Sequence, residues 1–227
     1  MEYLKASKST AISTDISREG LKLSKIAQLW RLFAPRNNHA IVKVSEFRRI
    51  NIQRINELIG SNFKAVILDI DECVAPHHGE ILPENIDHIA AMVAEGTKLV
   101  IYSNMKASDR YEPVVTRVKS NHDYDIKIIM SPYAKPDIRG FAHCIDELNL
   151  EPDEDVLMIG DNFLTDGGSL QAGIAFAQVK PIRSIGESIA KRLKRIFQTS
   201  TRSFYSGVSG AYDRLGRRHV LRDSDFE

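Results

Sequence analysis

Residues 63–76 read FKAVILDIDECVAP: an apolar run that ends on two carboxylates, Asp69 and Asp71, with one residue between them. The run lacks the polar alternation of a half-exposed strand, so residues 63–69 are expected to form a strand buried on both faces, as in a parallel sheet covered by helices. Charged groups placed directly after such a strand lie at its carboxyl end, where open α/β sheets gather ligands and catalysts. Two carboxylates there can hold a hard cation, or one can attack phosphorus while the other moves protons. An Asp-x-Asp pair also suits a turn or a helix cap, so by itself it decides little.

The surrounding chain repeats the pattern. Further apolar runs at residues 98–103, 126–130, 155–160 and 174–179 predict strands, and residues 84–95, 109–120, 136–148 and 164–172 predict helices between them. This alternation is that of a doubly wound, Rossmann-like parallel sheet. Pro136 suits a first helical turn, and Gly96 and Gly173 suit helix ends. Before the sheet, residues 17–33 and 44–58 read as two helices separated by APRNNH at 34–39, and no internal repeat is present. After it, residues 184–197 read as a basic helix, and the final thirty residues are expected to be poorly ordered. The expected organisation is a helical extension over 1–60, a catalytic domain over 61–181, and a basic amphipathic helix with a flexible tail over 182–227.

Three of the later strands also end on chemistry. Ser103 and Asn104 close the second run, Lys135 follows the third, and Gly160 with Asp161, Asn162 and Asp166 closes and follows the fourth. Singly, each has a bland reading as a cap, a surface lysine or a turn residue. Their shared position at strand ends makes them converge.

In this order the residues resemble the haloacid dehalogenase-like superfamily, whose four motifs are Asp-x-Asp, a serine or threonine, a lysine, and Gly-Asp-x-x-x-x-Asp. The resemblance implies a phosphoaspartyl mechanism with Asp69 as nucleophile, Asp71 as general acid/base, Ser103 and Asn104 as phosphate ligands, and Lys135 stabilising the transferring group. It also implies Mg²⁺ held by Asp69, Asp161 and the backbone carbonyl of Asp71, with Asp166 and Asn162 in support. The superfamily's cap insertions have no room here, since only 28 residues separate Val74 from Ser103 and 30 separate Asn104 from Lys135. An open, capless site suits a bulky substrate.

The stretch from Leu32, LFAPRNNHAIVKVSEF, together with DIDECVAP, YAKP and GDNFLTDGGSLQAG, is similar to the phosphatidylglycerophosphatase family of mitochondria and bacteria. That likeness implies dephosphorylation of phosphatidylglycerophosphate, a lipid phosphate. Glu72 departs from the family's usual asparagine. The alternatives are a capless phosphatase for sugar, nucleotide or protein phosphates, and an inactive scaffold binding membrane or nucleic acid. The retained carboxylates and Lys135 speak against the scaffold.

Composition bounds the setting. The 227 residues carry a net charge of +1, yet residues 1–50 hold ten basic against four acidic groups, 51–180 eleven against 21, and 181–227 ten against five. Basic flanks fit an anionic membrane surface. Ile182, Ile185, Ile189, Leu193, Ile196 and Phe197 recur at helical spacing among Arg183, Lys191, Arg192, Lys194 and Arg195, a pattern that suits either interfacial binding or docking on the domain. Trp30, with Ile26, Leu29 and Phe33, poses the same choice. Nucleic acid is disfavoured, because no recognition motif accompanies the basic tails. No apolar run approaches bilayer length and no secretory signal is visible, so a cytoplasmic protein, peripheral on an inner membrane face, is expected, with a mitochondrial location as the alternative. Cys73 and Cys144 form no disulfide framework, which fits a reducing compartment. His77 and His78 are expected as exposed loop residues and His143 as packing, and no spacing typical of a zinc site is present.

Overall fold

A computed structural model describes residues 40–104, 109–122, 124–129, 131–150, 155–183 and 220–227, together with Phe204. The expected helices at 17–33 and 184–197 lie outside the described residues.

Seven strands form one sheet: β1 (Ala40–Val44), β2 (Phe63–Leu68), β3 (Lys98–Tyr102), β4 (Lys127–Ile129), β5 (Asp155–Gly160), β6 (Ala175–Val179) and β7 (Leu221–Arg222). Their order is β4-β3-β2-β5-β6-β1-β7, and every pairing is parallel. The chain runs outward from β2 through β3 to β4, then returns to place β5 on the other side of β2. The order therefore reverses between β2 and β5, which opens a crevice beyond their carboxyl ends.

Side-chain alternation builds a core on each face. From β2, Val66 and Leu68 join one apolar cluster while Ala65 and Ile67 join the other. Helices α1 (Ile52–Ile59), α2 (Pro83–Ala94) and α3 (Glu112–His122) cover the first face with Ile52, Ile55, Ile89, Val93, Val114 and Val118. On the second face α4 (Ile138–Leu148) contributes Phe141, Cys144 and Leu148, and the 3-10 helix Asp166–Ala172 contributes Leu170. With both faces covered, the inner stretches of the central strands need no polar residues, which is why residues 65–68, 99–102 and 156–159 are apolar throughout while Lys64, Lys98 and Asp155 stand near the strand starts.

Several expectations are corrected. Residues 44–58 are not one helix. AIVKV at Ala40–Val44 is a strand beside β6, followed by a 3-10 turn at Phe47–Arg49 and the short helix α1. Sheet residues thus precede the expected boundary at 60/61. The poorly ordered tail is also corrected at its end: Leu221 is fully buried in β7, and the Asp223 carboxylate accepts the Ser45 amide at 3.0 and 3.2 Å. Pro136 does not begin α4, which starts at Ile138 after the N-cap Asp137, and the Lys135–Pro136 peptide is cis. The expected helix over 164–172 is the 3-10 helix Asp166–Ala172. Gly96 and Gly173 do end their elements, with φ of 90° and 79°, a conformation glycine adopts freely.

Candidate active site

The crevice between β2 and β5 collects four of the expected residues. Asp69 follows β2 and Asp161 follows β5, and the Asp69 amide donates to the Ile159 carbonyl at 2.9 Å, which levels the two strand ends. Asp166 opens the 3-10 helix after β5, and Lys135 lies on the loop between β4 and α4. All four are buried. Oxygen atoms of Asp69, Asp161 and Asp166 lie within 4.8 Å of one another. Lys135 Nζ stands between two of these carboxylates, 2.7 Å from Asp69 Oδ1 and 2.7 Å from Asp166 Oδ1.

Such a set is short of positive charge, because three buried carboxylates face one buried ammonium. Desolvation, and then the Asp166 charge, push the Asp69 carboxyl up to about 7, although Lys135 pulls the other way. Burial works against the Lys135 ammonium, yet Asp166 and Asp69 together hold it above lysine's ordinary range. A buried, oxygen-only donor set with unbalanced negative charge is what a hard divalent cation requires.

Neighbouring groups fix the cluster. The Asn162 amide donates to Asp166 Oδ2 at 3.1 Å, leaving Oδ1 to Lys135. Asn104 grips the Lys135 backbone: its Oδ1 accepts the Lys135 amide at 2.8 Å, and its Nδ2 donates to the Lys135 carbonyl at 3.3 Å. The Tyr102 hydroxyl donates to the Tyr133 carbonyl at 2.6 Å, and Lys135 Nζ lies 5.5 Å from the centre of the Tyr102 ring. Gly160 and Gly140 permit these approaches. A Cβ on Gly160 would sit 2.3 Å from Asp166 Oδ2, and one on Gly140 would sit 1.8 Å from the Tyr102 hydroxyl.

Ser103 is buried one residue past the end of β3, at the same edge of the sheet, since Leu68 of β2 pairs with Ile101 of β3. Asp71 stands apart from the cluster. Its Oδ1 accepts the His78 amide at 2.9 Å and lies 3.0 Å from Arg110 NH1. Asp71, His77 and His78 also bring potential ligand atoms within 4.8 Å, but the Arg110 guanidinium already serves that carboxylate. Arg110 is the residue that sequence reading missed, because 39 positions separate it from Asp71 and no local spacing links the two.

Both cysteines are buried. Burial first, and then Asp69, Asp161 and Asp166, push the Cys73 thiol up, so it carries no thiolate chemistry beside the cluster. His77 and His78 are exposed, as expected, with ring centres 3.9 Å apart.

A model of the family described as mitochondrial PGP phosphatase matches residues 23–169, more than half of the chain. Among solved structures, the chain is similar to the core domain of a candidate phosphoglycolate phosphatase from Streptococcus pneumoniae TIGR4, at 20% identity over 60% of this chain and 96% of that one, with a TM-score of 0.37. A crystal structure is also similar, 15% identical over 70% of this chain and 86% of its own, with a TM-score of 0.43. No curated protein matches.

Proposed function

The chain belongs to the mitochondrial PGP phosphatase family and is a phosphoric monoester hydrolase, and from that premise we propose that it removes the terminal phosphate of phosphatidylglycerophosphate through an aspartyl-phosphate intermediate. The observation that carries the mechanism is the buried cluster of Asp69, Asp161 and Asp166 around Lys135 at the switch point of the sheet.

Asp69, Asp161 and the Asp71 backbone carbonyl would hold Mg²⁺, with Asp166 in support. When bound, the ion supplies the positive charge that lets a phosphate dianion approach carboxylates. Asp69 attacks phosphorus, and the bond from phosphorus to the ester oxygen breaks. Asp71 gives its proton to the departing alcohol. Asp71 then takes a proton from water, whose oxygen attacks phosphorus, returning Asp69 and releasing inorganic phosphate. Lys135 stays fixed by Asp166 and lays its charge along the transferring group, while the Ser103 hydroxyl and the second Nδ2 hydrogen of Asn104 donate to phosphate oxygens.

Two features support a lipid substrate. Only α2 and β3 intervene between Val74 and Ser103, so no cap stands there over the site. The flanks outside the acidic centre are basic, and basic segments gather at anionic membrane surfaces. Among the described residues no helix is long and apolar enough to cross a membrane, so we place the enzyme against a membrane face, and family membership favours the mitochondrion.

Phosphate release from phosphatidylglycerophosphate in mixed micelles tests the reading, with wild type and Asp69→Asn compared with and without Mg²⁺. Release that needs both Asp69 and Mg²⁺ is expected. Turnover of soluble phosphates alone would remove the lipid substrate and keep the chemistry.

A further inference from the structure

Asp71 is anchored from a distant part of the chain. Arg110, in the 3-10 turn Asp109–Tyr111 that leads into α3, reaches back to the loop after β2. One edge of its guanidinium, NH1, lies 3.0 Å from Asp71 Oδ1, and Nε donates to the Gly79 carbonyl at 2.8 Å. The Arg110 and Asp71 side chains are only 13% and 15% exposed, so the pair is largely withdrawn from solvent. Such a pair is screened far less by salt than a surface ion pair.

The loop that Arg110 grips is already folded on itself. Asp71 and Ala75 form a β-bridge, the Glu72 amide donates to the Ala75 carbonyl at 2.8 Å, and the Gly79 amide donates to the Pro76 carbonyl at 2.7 Å. The His78 amide closes the ring by donating to Asp71 Oδ1 at 2.9 Å. Arg110 is the member of this network that comes from beyond α2 and β3. It holds both the carboxylate and the far end of the loop. A planar guanidinium makes the two contacts from separate nitrogens held in one plane, whereas a lysine would have to serve both acceptors from one nitrogen on a flexible stem.

We propose that Arg110 is a positioning residue for Asp71, fixing that carboxyl group where the leaving oxygen of the substrate will stand. The inference rests on the assignment of Asp71 as general acid/base. Arg110 acts through Asp71 and touches no reacting atom. Its value is therefore greatest where proton delivery matters most, for alkyl phosphates whose departing alkoxide needs a proton. It is smallest for p-nitrophenyl phosphate, whose phenolate leaves unaided.

The test compares kcat/KM, which covers the steps up to loss of the alcohol, for Arg110→Ala and Asp71→Asn singly and together. The probes are phosphatidylglycerophosphate in mixed micelles, glycerol 3-phosphate and p-nitrophenyl phosphate, all with saturating Mg²⁺. Arg110→Ala is expected to lower kcat/KM for the alkyl esters by about 10- to 100-fold, at or below the range of general acid catalysis, and for the aryl ester by less than about 3-fold. On the Asp71→Asn background the same change should cost less than about 3-fold, because the group it positions is gone. Arg110→Lys should recover part of the loss. Equal losses on alkyl and aryl esters, or a full loss on the Asp71→Asn background, would overturn the proposal while leaving the phosphatase intact. If Arg110→Ala does not fold, Arg110→Gln and Arg110→Lys carry the same comparison. A wild type inert toward all three esters would instead defeat the functional reading on which the proposal depends.

Discussion

Lys135 Nζ stands 2.7 Å from Asp69 Oδ1, so the residue assigned as nucleophile carries its counter-charge before any substrate arrives. The same ammonium is 2.7 Å from Asp166, which keeps it in place when Asp69 turns to phosphorus. Removing the lysine while keeping its bulk, as in Lys135→Met, leaves carboxylates facing one another in a buried site. Turnover should fall by about 100-fold or more. Metal-free stability should fall by about 3–5 kcal/mol, the usual cost of stripping one partner from a buried ion pair. Phosphate release and urea denaturation in EDTA check both.

Excess negative charge in the cluster predicts that Mg²⁺ stabilises the fold. An ion that binds only the native state at about 100 times its Kd adds about 2.7 kcal/mol, visible as a rise in Tm. Asp161→Asn should abolish most of that rise, and its Tm in EDTA should equal or exceed that of wild type. A Tm rise unchanged in Asp161→Asn would remove Asp161 from the ligand set.

Gly160 admits the Asp166 carboxylate at a distance no Cβ tolerates. Gly160→Ala should cost about 1–3 kcal/mol, as overpacking does, and should depress activity by shifting the partner of Lys135. Denaturation midpoint and turnover should fall together. A variant with wild-type values for both would show that Asp166 moves aside freely.

Glu72 occupies the left-handed region at φ 62°, where a non-glycine residue pays for the crowding of its Cβ and asparagine pays less. Glu72→Asn should therefore raise stability by up to about 1 kcal/mol. This gives a backbone reason for asparagine at that position. A lower Tm in Glu72→Asn would mean that the glutamate side chain makes a contact worth more than the strain.

His88 sets an acid limit on stability. Burial lowers its affinity for a proton below histidine's ordinary 6.5, although its hydrogen bond to the Ile50 carbonyl, 2.9 Å, pulls the other way. The unfolded chain then binds the proton more readily than the folded one. The stability held by neutral His88 is complete above 6.5 and is lost as pH falls from there through the lower folded value. Urea midpoints should drop as pH falls below histidine's ordinary 6.5, and His88→Gln should flatten part of that drop. An identical profile in the variant would assign the acid limit to other groups.

Much of this architecture was legible locally. Strands β2, β3 and β5 announce themselves because burial on both faces demands apolar residues along their inner stretches, and Asp69, Ser103 and Asp161 follow them at once. Strands β1 and β7 were missed for the opposite reason. AIVKV is short and merges into polar neighbours, and the two residues of β7 have no period at all. They are strands because β1 finds β6, and β7 finds β1, across more than a hundred intervening residues. The 3-10 helix at Asp166–Ala172 was read as an α-helix because its apolar spacing is too brief to tell the two apart.

The sequence by itself determined the parallel sheet and which residues stand at its carboxyl edge, since both follow from short-range apolar patterning and the placement of polar residues after it. The tertiary structure alone decided the pairings. Strand order brought Asp69 beside Asp161, the loop before α4 carried Lys135 between Asp69 and Asp166, and the turn before α3 delivered Arg110 to Asp71. Such contacts join residues far apart in the chain, and their geometry is set by how the elements pack, which no local spacing records.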